Sequence, residues 1–278
     1  MYNALSIDVE EHFQVHAFAS VIQQADWEQH GSRVVANTER ILDLLAAHQV
    51  RATFFILGWV ADRHPSLVRA IAADGHEIGT HGYWHRLVYE QTPDEFAEDL
   101  ARSLTAIKRA CSDVKILGYR APAFSITKRS LWALDILREQ QLTYDSSIFP
   151  LTYHDRYGIP DAQRFAHQHK NGLWEFPVST LRFRQKNMPV AGGGYFRIYP
   201  LLATRYAIRQ LNQEQQAAVV YLHPWEFDPD QPRIAGASLF SRFRHYTNLA
   251  KTYERLKTLL TEFQFAPIQE VFAAQLTR

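Results

Sequence analysis

Short apolar runs of strand length alternate with amphipathic stretches of helix length along most of this 278-residue chain, and that alternation leaves few folds open. Residues 4–9, 52–56, 77–80, 116–119, 142–145, 173–176 and 217–222 read as strands. Residues 34–48, 65–74, 128–140, 200–212 and 246–261 read as helices, the first with Ile41, Leu42, Leu44 and Leu45 on its inner side. Pro65 opens the second of these and Gly75 closes it, while Thr92-Pro93-Asp94-Glu95 has the form of a capping box that starts another helix running towards Cys111. A chain that repeats β then α builds a parallel sheet flanked by helices, here closed or nearly closed. No linker, internal repeat or low-complexity segment divides it, so one large α/β domain is expected. Residues 149–172, polar and histidine-rich, read as a long loop.

The polar motifs fall in one place on that scheme. Asp8, His81, Arg120, Asp145 and His223 each stand at or just beyond the C-terminal end of an expected strand. In a βα barrel those ends converge on one face, where active sites are built, so five scattered positions become one pocket. His81 and His85 are about one helical turn apart, a spacing that lets two imidazoles grip one metal ion. Among thirteen histidines such a spacing also arises by chance, and it gains meaning from Asp8-Val9-Glu10-Glu11 at the end of the first strand. Alternation puts Asp8 and Glu10 on one side of that strand and Val9 on the other. A divalent ion would take both histidines and one carboxylate, leaving a position open for water. The other carboxylate can then deprotonate the water.

Composition excludes several function classes. The net charge is +1 with both signs interspersed, which gives no footprint for nucleic acid or an anionic membrane surface. Cys111 is the only cysteine, so there is no intrachain disulfide; a reducing compartment fits, and the residue reads as structural. The first residues enter a strand with no basic and apolar leader, and no stretch approaches the roughly 18 apolar residues that span a bilayer. A cytoplasmic location is therefore expected.

The ordered set Ser6-Ile7-Asp8-Val9-Glu10, His81-Gly82-Tyr83-Trp84-His85, Tyr119-Arg120-Ala121-Pro122 and Leu222-His223-Pro224 resembles the polysaccharide deacetylase family, carbohydrate esterases of the NodB-homology type. The resemblance runs from the first strand to about Asp228. Three further stretches look like the subgroup encoded beside exosortase-linked exopolysaccharide genes: Asp8 to Phe13, Gly192-Gly193-Gly194-Tyr195-Phe196-Arg197, and His223-Pro224-Trp225-Glu226-Phe227-Asp228-Pro229. The resemblance implies a distorted (β/α)7 TIM-like barrel, with residues 1–278 one catalytic domain and 229–278 a helical extension packed on the barrel.

It also implies roles. Asp8 is the general base, Arg120 keeps it ionised and oriented, and His81 and His85 are metal ligands. Asp145 orients or tunes His223, the general acid that protonates the departing amine. Many relatives carry a second, adjacent aspartate as metal ligand, where this chain has Val9; others place the acid two residues after the base, as Glu10 would be. The metal implied is Zn2+, with Co2+ or Ni2+ as substitutes. The substrate implied is an N-acetylated oligo- or polysaccharide, or its lipid-linked precursor met at the inner face of the membrane. A backbone N–H near Ala123 would stabilise the oxyanion, and Pro122, Ala123, Tyr195 and Trp225 would contact substrate. Trp225 equally suits packing of the barrel rim, the triple glycine suits a turn lining the cleft, and Glu226 reads as a partner behind the site. Rival readings are a metal-free hydrolase of cyclic amides or ureides on this fold, a glycosidase using Asp8 and Glu10, and a carbohydrate-binding protein without turnover.

Overall fold

The first strand, β1 (Tyr2–Val9), is buried from Asn3 to Val9, as a central parallel strand must be when helices cover one face and a barrel interior the other. It pairs in parallel with β2 (Thr53–Ile56) on one course and with β10 (Val219–Leu222) on another. From β2 the sheet continues through β3 (Glu77–Thr80), β4 (Gly118–Tyr119), β5 (Tyr144–Asp145) and β7 (Trp174–Glu175). Among the described residues this makes seven parallel strands in the order β10-β1-β2-β3-β4-β5-β7, the expected α/β barrel in distorted form. The computed structural model describes residues 1–151 and 157–277.

Among the described residues no strand completes the ring. β6 (His167–Gln168) adds an antiparallel edge to β7, and a hairpin of β8 (Thr180–Phe183) and β9 (Lys186–Pro189) turns away at the gap. Single bonds bridge it instead: Ser179 N–H donates to the Val219 carbonyl at 3.2 Å, and Tyr221 N–H to that of Ala191 at 2.9 Å. Of the long loop expected at 149–172, residues 152–156 with His154 lie outside the described residues, and β6 interrupts the rest.

Helices Val34–Ala47, Pro65–Ala73, Pro93–Ala110 and Leu201–Gln213 follow their strands as the periodicity predicts. The capping box is formed: Thr92 Oγ1 accepts from Glu95 N–H at 3.3 Å, and Glu95 Oε2 accepts from Thr92 N–H at 2.8 Å. The segment 229–278 supplies helices Leu239–Tyr246 and Leu249–Glu262, but it is more than a packed extension. Its strand β11 (Gln264–Ala266) pairs in parallel with Tyr2, Asn3 and Ala4 of β1, and Ile268 N–H donates to Thr53 Oγ1 at 2.8 Å. An apolar β-strand followed by a buried isoleucine gains more by entering the sheet floor than by lying on its surface. No helix of the described residues is long and apolar enough to cross a membrane.

Candidate metal centre and active site

Strand direction assembles the site. Asp8 is the last but one residue of β1, Glu10 follows its end, and His81, Arg120 and His223 come directly after β3, β4 and β10. All five are on the C-terminal rim, and Asp8, Glu10, His81, His85 and His223 line one cleft.

Glu10, His81 and His85 form a three-donor cluster whose ligand atoms lie within 4.8 Å of one another. Glu10 Oε2 stands 2.6 Å from His85 Nε2 and 3.9 Å from His81 Nε2. Two of the donors, His81 and Glu10, are aimed by a partner behind them. The Arg120 carbonyl, 2.7 Å from His81 Nδ1, fixes the proton there and leaves Nε2 as the free lone pair. Trp225 Nε1–H donates to Glu10 Oε1 at 3.0 Å, while Glu10 Oε2 is buried and faces the two imidazoles. Burial alone would raise the Glu10 pKa, but the imidazoles of His85, His223 and His81 outweigh it and hold the carboxyl well below its usual range. Burial lowers His81 to about 4, so it stands neutral, as a ligand must. Two imidazole nitrogens and one carboxylate oxygen, converging in the interior, fit a zinc-like cation.

The histidine pair does not sit on a helical turn, as the spacing predicts. Gly82 at φ 74° and His85 at φ 52° are left-handed and break any helix. The loop is held from outside: Asp99 accepts from Tyr83 N–H at 2.7 Å and from Trp84 N–H at 3.1 Å, and Ser103 Oγ donates to the Gly82 carbonyl at 2.9 Å. Those bonds turn His85 back towards His81, with ring centroids 5.2 Å apart.

Beside this cluster, Arg120 Nη1 donates to Asp8 Oδ1 at 2.9 Å and to Ser6 Oγ at 2.6 Å, while Nε and Nη2 reach Ser146 O and Oγ at 2.9 and 2.7 Å. Fully buried and bonded at all three nitrogens, the guanidinium fixes Asp8 in place. His223 faces Asp8 from across the cleft, Nε2 3.9 Å from Asp8 Oδ2 and 3.9 Å from Glu10 Oε1. Its Nδ1 is bound to Glu226 Oε1 at 2.7 Å, and Arg197 Nε donates to Glu226 Oε2 at 2.6 Å. Burial opposes the imidazolium, yet the Glu226 bond and the charges of Glu10, Glu226 and Asp8 raise His223 to about 9. A carboxylate pinned by an arginine and an imidazole held protonated thus face each other beside a cluster that could hold a metal.

Several expectations need correction. Asp145 makes its contacts away from His223. Its carboxyl accepts from Ser147 Oγ, whose oxygen in turn accepts from Ala121 N–H at 2.7 Å, and burial beside Glu175 pushes the Asp145 pKa well up. Through Ser147 it braces Ala121 at the start of the turn at Pro122–Phe124, and Glu226 is the carboxylate on His223. Tyr195 and Pro122 do not line the cleft. Gly193 and Gly194, Ala123 and Phe124 do, the last two at φ 50° and 55° in a strained turn. Trp225 lines it too, its indole stacked on His223 at 5.1 Å and on His245 at 4.2 Å. His245, Arg197 and His16 are cleft residues that the spacing gives no sign of; only the fold brings them there. Trp225→Phe, which deletes the bond to Glu10 and keeps the ring stack, is expected to weaken metal affinity about 10–100-fold, read by competition with a chromogenic chelator.

A polysaccharide deacetylase description matches residues 29–144, which contain His81, His85 and Arg120, and a domain of unknown function (DUF3473) matches residues 146–273, which contain His223 and Glu226. The chain is 32% identical over 100 residues to a chitooligosaccharide deacetylase of Bradyrhizobium sp. (strain ANU 289), covering 36% of this chain and 43% of that one. It is 38% identical over 87 residues to a peptidoglycan-N-acetylglucosamine deacetylase of Bacillus cereus, covering 31% of this chain and 29% of the relative. The chain thus spans less than half the length of either relative. In fold it resembles a Mycobacterium smegmatis protein named for the polysaccharide deacetylases, at TM-score 0.67 and 19% identity, over 99% of this chain and 89% of that one. It also resembles a Bacillus anthracis pseudoenzyme of carbohydrate esterase family 4, at TM-score 0.53 and 16% identity, over 97% and 64% of the two chains. Over residues 29–144 the chain is thus similar to the polysaccharide deacetylases, and its fold as a whole is similar to that of a protein named for them.

Proposed function

We propose that this protein is a metal-dependent hydrolase that removes N-acetyl groups from amino sugars of a polysaccharide or its lipid-linked precursor, in exopolysaccharide synthesis at the inner face of the membrane. The observation that carries the reading is the convergence of Asp8, His223 and the Glu10–His81–His85 cluster in one cleft. Glu10, His81 and His85 would hold Zn2+, or Co2+ or Ni2+; the ion supplies Lewis-acid polarisation of the acetamide carbonyl and acidifies water. Asp8, pinned by Arg120, takes a proton from the attacking water. The strained turn at Ala123 and Phe124 forms the wall against the acetyl group, where a backbone N–H can meet the developing oxyanion. His223, held by Glu226, gives its proton to the sugar nitrogen as the C–N bond breaks, since an amide anion would not leave. Acetate and a free amine result.

The relatives' names support an N-acetylated glycan as substrate. A shared fold does not by itself bring turnover, as the pseudoenzyme illustrates. The test is acetate release from N-acetylglucosamine oligomers with matching appearance of amines and no new reducing ends. New reducing ends would mean a glycosidase, cleavage of cyclic ureides by metal-free protein the rival amidase, and saccharide binding without products a lectin-like role.

The acid's charge state makes a second prediction. His223 is protonated below its pKa of about 9 and loses its proton above it, so activity is expected to be present on the acid side and to fall as pH rises through that value. A cation beside Glu10 offsets part of the carboxylate pull, which moves the limb lower. Glu226→Gln removes the larger support and is expected to move the limb at least one further pH unit towards acid, with kcat falling more than KM changes. A limb unmoved in the variant would separate Glu226 from the acid's role.

A further inference from the structure

Three of the most exposed large apolar side chains stand on one short helix beside the cleft. Helix Leu239–Tyr246 leaves Leu239 83%, Phe240 65% and Phe243 56% exposed, and His245 is its one buried residue. The helix is nonetheless firmly seated. Arg197 donates to the carbonyls of Arg244, His245 and Thr247 at 2.8–3.0 Å, and His245 stacks on Trp225. It packs against the short helix Gly193–Ile198, whose first glycines line the cleft. The adjoining helix Leu201–Gln213 adds Leu202 and Tyr206, 68% and 56% exposed. Apolar surface fixed in this way and left open marks a face that something covers.

Local charge identifies the occupant. Residues 231–253 contain no Asp or Glu but hold Arg233, Arg242, Arg244 and Lys251; residues 176–213 likewise contain no acid. The net charge of +1 hides this, because the acids are concentrated elsewhere in the chain. Phenylalanine and leucine tips on a stretch of chain that carries arginines and no carboxylate reproduce, in mirror order, a phospholipid surface with acyl chains beneath anionic phosphates.

We propose that the face carrying Leu239, Phe240 and Phe243, with Arg233 and Arg242, docks on an anionic lipid bilayer and holds the cleft beside it. The proposal rests on the reading above only for what the surface delivers, a saccharide carried on a lipid. The test is co-sedimentation of the purified full chain with phosphatidylcholine vesicles and with phosphatidylcholine–phosphatidylglycerol vesicles. Wild type is expected to sediment with the anionic vesicles and much less with the neutral ones. The combined variant Leu239→Ser, Phe240→Ser, Phe243→Ser is expected to bind at least ~100-fold more weakly. Arg233→Gln with Arg242→Gln is expected to bind about tenfold more weakly, with a flatter salt dependence. Neither set touches the cleft, so acetate release from soluble oligomers should stay at the wild-type level. Wild type that leaves both vesicle types in solution overturns the proposal, as does vesicle binding that the serine variant retains. A wild-type dimer that the serine variant converts to monomer also overturns it, naming a second copy as the occupant. Vesicle binding with no acetate from any saccharide would leave the docking surface standing and sink the deacetylase reading instead.

Discussion

Asp8→Asn is expected to lower acetate release by roughly 10²–10⁴-fold with little change in KM. The substitution is isosteric, and the new amide oxygen can still accept from Arg120 Nη1, now 2.9 Å from the carboxylate, so the buried arginine keeps its partner. What is lost is the only basic atom that Arg120 positions for the water. Metal content should not change, because Glu10, His81 and His85 are untouched. Steady-state kinetics on a chitooligosaccharide, with metal analysis of the same samples, reads both quantities. A variant within tenfold of wild type would assign the proton transfer elsewhere, and Glu10 would be the first place to look.

The second large effect is expected at the cluster itself. His81→Ala should take the bound metal from about one ion per chain to none and the rate down by at least ~10³-fold, as chelation of wild type should. Activity alone would not distinguish a lost ligand from a disturbed fold, since His81 is buried against the Arg120 carbonyl. Thermal unfolding does distinguish them. An ion that binds only the folded chain stabilises it by about 2.7 kcal/mol at a hundredfold excess over Kd. Added Zn2+ should therefore raise the wild-type Tm and leave that of His81→Ala where it is. A metal-dependent Tm in both proteins would place the ion elsewhere. Wild type that takes up no zinc, cobalt or nickel would favour the metal-free amidase.

Much of this site was readable from residue order because barrel geometry turns strand ends into neighbours. Period-two alternation put Asp8 and Glu10 on one side of β1, and the β-then-α rhythm carried His81, Arg120 and His223 to the same rim. Where local spacing was asked to describe more than a strand end, it misled. The four-residue step from His81 to His85 suits a helix, yet a left-handed turn braced by Asp99 makes the pair. Asp145 has the right place in the motif order, and its carboxyl turns to Ser147.

The chain's own pattern determined the α/β barrel, the rim on which chemistry collects and the residue types that could hold a metal, since these depend on periodicity within a dozen residues. Only the tertiary structure decided the partners. Trp225 reaches Glu10 across 215 residues of sequence, Arg120 reaches Asp8 across 112, and Arg197 reaches Glu226 across 29. Each bond is set by the register between strands and by helices packed around them, and no short-range pattern encodes that register. The same holds for His245: an unremarked histidine on an arginine-rich helix enters the cleft because the segment behind it ends as a strand paired with the first residues of the chain.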